Sequence, residues 1–177
     1  FPSGTTGISG TLSISGVAVD ATSNGSTIDF NGGGGQAIPA IDYRNLSLSN
    51  SGTKTFATGT TRIAGTFAIS GSATADATAN VTTIEYNGSS AQSIQALTYR
   101  NLTVNNPSGI SIPTSIVVQG TLTLSSGNVS TGSNTLTIGL AGIVSRTSGH
   151  VVGNLERYVS GSALTPTFEI GDGSTYT

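Results

Sequence analysis

The sequence contains no cysteine, no methionine and no tryptophan, and its only lysine is Lys54. Without cysteine the chain has no disulfide framework, no thiol nucleophile and no zinc–thiolate site. Charged residues make up only 8% of the chain, against about 25% in ordinary soluble domains. Six basic and eight acidic residues leave a net charge of -2. This balance excludes a basic nucleic-acid-binding protein, because such proteins neutralise phosphates with clustered Lys and Arg. No apolar run approaches the roughly 18–20 residues that a membrane helix requires.

Small and hydroxylated residues take the place of charge. Glycine, serine and threonine together make 79 of the 177 residues, a composition that is also typical of flexible linkers. A linker is disfavoured because 35% of the chain is hydrophobic and the apolar residues alternate with polar ones, which is the pattern of strands. Leu46-x-Leu48 and Leu122-x-Leu124 are examples, and turn dipeptides such as Asn31-Gly32 separate the alternating segments. The pattern predicts an all-β protein with essentially no helix.

The sequence repeats itself. Gly10-Thr11-Leu12 returns as Gly65-Thr66-Phe67 and as Gly120-Thr121-Leu122, at equal intervals of about 55 residues. Residues 27–50 align without a gap on residues 83–106, and 12 of the 24 positions are identical. Compositional bias toward glycine, serine and threonine does not produce matched Tyr, Arg, Gln and Ile. The repeat is therefore a true internal repeat and not an effect of amino-acid composition.

A shorter period lies inside the long one. Eight apolar segments between Leu12 and Leu136 recur about every 18 residues, close to one third of the repeat. This length suits one turn of a β-solenoid, in which short strands pair in parallel with the next turn. We predict a right-handed parallel β-solenoid of about 18 residues per coil, with three coils in each repeat of about 55 residues. A β-sandwich is the alternative, but it gives no reason for the nested period.

The predicted solenoid covers residues 1–138, in units of about 5–58, 59–114 and 115–138. After residue 138 the pattern loosens and charge density rises. Residues 139–177 are expected to form the last coils, a cap or the start of a following domain. Because position 1 is not methionine, the chain is expected to begin after processing or to be part of a longer protein.

Several phrases resemble a known class of sequence. They are STIDFNG…QAI…YRNLSLSNSGTKTF (26–56), TTIEYNG…QSI…YRNLTVNN (82–106), GTLTLSSGNV (120–129) and GNLERYV…FEIGDGSTYT (153–177). They are similar to repeat regions of large secreted bacterial surface proteins, of the adhesin kind that Bacteroidetes export through type IX secretion. The resemblance implies a secreted, cell-surface or filament location and an adhesive or scaffolding role. It transfers no catalytic residue.

The titratable residues do not suggest a catalytic centre. The eight acids are scattered, and the two repeat-equivalent pairs, Asp20 with Asp76 and Asp29 with Glu85, are expected three coils or ~14 Å apart. Carboxylate pairs of glycosidases stand ~5–9.5 Å apart. The single histidine, His150, is expected in a loop. We therefore predict no enzymatic activity, no metal and no cofactor.

Two glycine-containing segments are candidates for binding loops. Residues 171–174 contain one aspartate, Asp172, which favours an Asx turn over a calcium loop, because calcium requires six to eight oxygen ligands. The four glycines at 32–35 lack the lysine and helix of a phosphate-binding loop, so a flexible corner is expected.

The repeated Tyr-Arg pairs are the candidate contact residues. Tyr43-Arg44 and Tyr99-Arg100 are predicted to form a surface ladder that contacts sugars or a neighbouring copy of the chain. The alternative is that each tyrosine packs at a corner while the arginine pairs locally with Asp42 or Glu85.

The sequence thus predicts an extracellular structural or adhesive β-solenoid rod of a cell-surface adhesin or filament. Expected partners are other copies of the chain, stacked end to end or side by side, adjoining domains, or surface glycans. No nucleic acid and no membrane span are expected. The alternatives are a carbohydrate-active β-helix enzyme and a glycan- or ice-binding module.

Overall fold

The computed structural model describes residues 1–15, 19, 21–158 and 167–177. The chain divides into two compact units, Phe1–Glu85 and Tyr86–Thr177. Within the described residues the secondary structure is almost entirely β, and the single helical segment is a 3₁₀ turn at Ser23–Gly25. The predicted all-β class is confirmed.

The N-terminal unit consists of short strands in three parallel stacks. In chain order the strands are β1 (Thr5–Ile8), β2 (Thr27–Phe30), β3 (Gln36–Ile38), β4 (Asp42–Tyr43), β5 (Asn45–Leu48), β6 (Ser51–Phe56), β7 (Gly59–Ile63), β8 (Phe67–Ile69), β9 (Ser72–Asp76) and β10 (Thr82–Tyr86), whose last residue belongs to the second unit. The first stack is β1-β2-β5-β8, the second is β3-β6-β9, and the third begins with β4, β7 and β10. The chain visits the stacks in rotation, which defines a β-solenoid.

The turns of this solenoid differ slightly in length. Gln36 lies beside Lys54 in one of the pairings with the smallest sequence separation, and Thr5 lies beside Thr27 in one with the largest. These pairings correspond to turns of about 18 and about 22 residues, within the size of a solenoid repeat. The smallest separation equals the predicted coil length of about 18 residues. The predicted parallel β-solenoid is confirmed.

The sequence repeat and the turn do not coincide. Eight strands, β2 to β9, lie between Thr27 and its repeat equivalent Thr83, whereas three strands make one turn. Thr27 therefore belongs to the first stack, and Thr83, on β10, belongs to the third. One repeat spans just under three turns.

The C-terminal unit is built in the same way. Its strands are β11 (Gln92–Ser93), β12 (Thr98–Tyr99), β13 (Asn101–Asn105), β14 (Ile110–Ser111), β15 (Ile116–Val118), β16 (Thr121–Ser126), β17 (Val129–Ile138), β18 (Ile143–Arg146), β19 (Val151–Arg157) and β20 (Ile170–Gly171). The long strands β17 and β19 each extend across two sides, since β17 pairs with both β14 and β15. The strands after residue 138 continue the parallel stacking, because β18 pairs with β16 and β19 pairs with β17.

Most inward-facing side chains are apolar, and they stack on one another from turn to turn. In the first stack Ile28 lies beside Leu46, and Leu46 beside Phe67, all nearly or fully buried. Outward positions between them carry polar or small residues, as the period of two requires. Full burial of each large apolar side chain stabilises the fold by about 1.5–3 kcal/mol.

One predicted strand is absent. The alternation at Leu12 and Ile14 predicts a strand, but residues 11–15 lie outside strands and both side chains are half-buried.

Candidate functional site

The two tyrosines of the expected surface ladder belong to the core. Tyr43 and Tyr99 are both 0% exposed. The Tyr43 hydroxyl donates to the carbonyl of Pro39 at 3.0 Å, and the Tyr99 hydroxyl donates to the carbonyl of Gln95 at 2.6 Å. Burial raises the pKa of both phenols above the usual value. The expectation that these tyrosines contact a ligand on the surface is wrong, because each one satisfies its hydroxyl on the backbone four residues earlier.

The arginines that follow them are exposed, and in the described part of the chain the expected local ion pair does not form. Asp42 lies beside Arg62 in the pairing of β4 with β7. Arg62 binds Asp42 and Glu85, both at 3.0 Å. These contacts raise the pKa of Arg62, chiefly through the hydrogen bond to Asp42. Arg44 and Arg100 stand between strands and face solvent.

The asparagine after each arginine connects neighbouring turns. Asn45 Oδ1 accepts hydrogen bonds from the backbone N–H and the hydroxyl of Thr66, at 2.9 and 3.1 Å. Its Nδ2 donates to the Ser26 carbonyl on the other side, at 3.1 Å. In the C-terminal unit, Asn101 Oδ1 accepts from the Thr121 N–H at 2.9 Å.

These bonds explain the repeated Gly-Thr pair, to which the sequence alone assigns no role. A Cβ at Gly65 would overlap the Asn45 side chain and approach the Arg44 carbonyl to 2.6 Å. Gly120 lies in the same relation to Asn101 and Arg100. The Asn and the Gly stand at nearly the same separation in both repeats, and this spacing is the sequence signal that could have revealed the contact.

The four glycines at 32–35 are held by a buried polar network. Gln36 Oε1 accepts from the Gly32 N–H at 2.9 Å, and Gln36 Nε2 donates to the Gly10 carbonyl at 2.6 Å. Lys54 is 0% exposed, and its ammonium donates to the carbonyls of Gly32 and Gly34 and to Gln36 Oε1, at 2.6, 3.0 and 2.7 Å. Desolvation lowers the pKa of Lys54, partly offset by the charge of Asp29. Hydrogen bonds with two buried side chains, Gln36 and Lys54, thus hold the corner for which the sequence predicts flexibility.

The second repeat builds the same corner without a lysine. Gln92 Oε1 accepts from the Gly88 N–H at 2.9 Å, as Gln36 does from Gly32. Asn106 Nδ2 donates to Gln92 Oε1 and to the Ser90 carbonyl, both at 2.8 Å. An asparagine amide therefore does in the C-terminal unit what the Lys54 ammonium does in the N-terminal unit.

The acidic residues serve local structure in the described part of the chain. Asp76 Oδ1 accepts from the N–H groups of Thr78 and Ala79, which lowers its pKa. Asp20 lies outside the described residues. Asp29 is on β2 and Glu85 on β10, so these equivalents belong to different stacks. Across the described residues no group of three or more acids and histidines could hold a metal ion.

His150 is buried and contacts the last residues of the chain. It is 5% exposed, and its Nε2 lies 2.6 Å from the Asp172 carbonyl oxygen. Asp172 forms the expected Asx turn, in which its Oδ1 accepts from the N–H groups of Ser174 and Thr175 at 2.8 and 2.6 Å. These bonds lower the pKa of Asp172.

A shallow groove on the C-terminal unit is the candidate binding site, and sequence reasoning missed it. Its volume is about 510 Å³. The lining comprises four serines, one asparagine, one glutamine, three aliphatic residues and two glycines, so it carries no charged side chain. Ser93, Ser111 and Ser130 lie side by side on β11, β14 and β17. Ser108 and Asn128 stand at the adjacent corner. We call this site the serine groove.

The candidate chemistry of the serine groove is hydrogen bonding by neutral groups. The three stacked serines are exposed, and adjacent strands place them ~4.7–4.9 Å apart. The Ser108 hydroxyl donates to the Ser89 carbonyl at 2.8 Å, which leaves its oxygen lone pairs for a ligand. Asn128 Oδ1 accepts from the His150 N–H at 3.2 Å, which fixes the amide at the rim.

Comparison of the chain with protein-family models, with curated proteins and with solved structures found no match. The fold is therefore established by the strand pairing alone. Among the described residues, no helix is both long enough and apolar enough to cross a membrane.

Proposed function

We propose that this chain is an extracellular structural and adhesive β-solenoid, a rod-like segment of a bacterial surface protein. The observation that carries the proposal is the set of hydrogen bonds that the repeated residues make to the backbone. The Tyr, Asn and Gln of each repeat bind backbone groups of their own turn or of a neighbouring turn. Recurring side chains that hold the backbone within and between turns support a structural role for the repeat.

The outer surface supports an adhesive role. Outward positions carry stacked hydroxyls, as in Thr53 and Thr74, which lie side by side on β6 and β9 and are both exposed. With charged residues at 8% of the chain, such surfaces approach other neutral surfaces without electrostatic repulsion. In a solenoid each turn is stabilised mainly by its neighbours, so the fold can be extended by adding turns.

The cellular location is proposed from the sequence resemblance. The phrases shared between residues 26–50 and 82–106 resemble repeats of secreted surface adhesins of Bacteroidetes. The proposed partners are further copies of the chain, adjoining domains or surface glycans. The proposal gives the chain no catalytic role.

Immunolabelling of the source cells tests the location. Antibodies raised against the chain should label intact cells as strongly as permeabilised ones, and a mutant lacking the protein should attach less well to surfaces. Labelling that requires permeabilisation would contradict the proposal. Turnover of a polysaccharide by the purified chain would replace the structural role by the enzymatic alternative.

A further inference from the structure

We propose that the serine groove binds a neutral polysaccharide. This inference rests on the proposed adhesive function and names its partner. The groove belongs entirely to the C-terminal unit, and its lining residues all fall between Ala91 and Gly173.

The chemistry of the lining points to an uncharged ligand. None of the residues that line the groove is charged. A nucleic acid or an acidic polysaccharide would bring phosphates, carboxylates or sulfates to a surface without cations to pair with them, and partial desolvation of an unpaired charge is costly. A neutral sugar chain brings hydroxyl groups, which donate to and accept from serine hydroxyls and side-chain amides alike.

The arrangement of the groups points to an extended ligand. The hydroxyls of Ser93, Ser111 and Ser130 repeat from strand to strand across three successive turns. Val152 continues the column on β19, and Gly173 stands near its far end. Ala91 adds an exposed apolar surface at the other end. A polysaccharide presents hydroxyls together with C–H faces along its length, so one extended chain satisfies both kinds of lining.

The binding test uses the whole chain and polysaccharides of defined charge. Affinity electrophoresis would compare hydroxyethyl cellulose, dextran and arabinoxylan with polygalacturonate and chondroitin sulfate. We expect at least one of the neutral polymers to retard the protein and the acidic polymers to have no effect. Retardation by the acidic polymers alone, or by none of the five, would overturn the inference.

Two variants test whether the polysaccharide binds in the serine groove. Ser111→Glu puts a carboxylate in the middle of the serine column, at an exposed position where the fold should be retained. Ser145→Glu is the matched control, because Ser145 is also exposed but lies on β18, outside the groove. Ser111→Glu should weaken binding by about tenfold, which corresponds to roughly 1.4 kcal/mol, and Ser145→Glu should not. Equal binding by both variants would overturn the assignment to this site.

The test separates this inference from the function on which it rests. A chain that labels intact cells but binds no polysaccharide would remove the glycan inference and leave the structural role. A chain that binds a neutral polysaccharide but labels only permeabilised cells would remove the surface location and leave the groove as a binding site.

Discussion

Lys54 donates from its buried ammonium to the side-chain oxygen of Gln36, 2.7 Å away on the adjacent strand. The same ammonium donates to two carbonyls of the glycine corner. The only lysine of the chain is thus enclosed in its core and satisfies all three of its N–H donors.

Replacement of Lys54 by methionine should destabilise the chain. The carbonyls of Gly32 and Gly34 would lose a buried donor, and an unsatisfied buried polar group costs about 1–3 kcal/mol. Urea denaturation of the intact chain would measure the loss. Arg44→Met is the matched control, because Arg44 is exposed and its replacement should shift stability by less than about 0.5 kcal/mol. Equal midpoints for the two variants would show that the lysine network does not stabilise the fold.

Alanine substitutions at two glycines of the repeated Gly-Thr pairs should differ in their effect on stability. Gly65→Ala forces a methyl group against Asn45 and the Arg44 carbonyl, and overpacking of this kind costs about 1–3 kcal/mol. Gly10 has no atom within 4 Å of the position that a Cβ would take, so Gly10→Ala should leave stability unchanged or raise it slightly. Thermal unfolding of both variants measures the difference. A Gly10→Ala variant as unstable as Gly65→Ala would refute the explanation by contact with the asparagine.

Stability should fall at alkaline pH because tyrosines are buried. Burial raises the pKa of Tyr86 from 10.0 to about 12 and raises those of Tyr43 and Tyr99. The unfolded chain therefore releases phenolic protons at lower pH than the native chain. The free energy of unfolding is unaffected by these tyrosines below pH 10. It falls as the pH rises above 10 toward the pKa values of the native chain, by about 1.4 kcal/mol per pH unit for each tyrosine.

Tyr86→Phe tests this assignment with a residue that the repeat already accepts. Phe30 occupies the equivalent position in the first repeat and is also fully buried. The variant should show a shallower loss of unfolding free energy between pH 10 and 12 than the parent chain, measured by urea titration at each pH. An unchanged slope would mean that Tyr86 does not contribute to the alkaline transition.

His150→Ala should loosen the end of the chain. The imidazole Nε2 contacts the Asp172 carbonyl, and Gly171 pairs with Tyr176 in an antiparallel bridge. Without the ring, the amide hydrogens of Asp172 and Thr177, which donate to Thr175 and Ile170, should exchange at least several-fold faster. Hydrogen-exchange mass spectrometry of the intact chain would report this change. Exchange that increases equally throughout the C-terminal unit would indicate general destabilisation and contradict a local role.

The sequence was sufficient to predict the fold class because period-two alternation and a nested repeat are local patterns. It did not predict the location of the tyrosines, because a Tyr next to an Arg looks amphipathic in sequence. The buried hydroxyl of Tyr43 is explained only by the carbonyl of Pro39, which the corner brings within reach.

The serine groove was missed for another reason. Ser93, Ser111 and Ser130 are three serines among 26, and only the register between turns brings them together.

The mismatch between repeat and turn has a consequence for how such chains change over generations. Thr27 and Thr83 occupy equivalent repeat positions but lie in different stacks. If one repeat were gained or lost by recombination, every residue after it would move along the coil axis. It would also move to a different one of the three sides of the coil. A change in the number of repeats would therefore change which residues lie on the same side of the coil. It could create or erase a column such as the serine groove without a single point mutation.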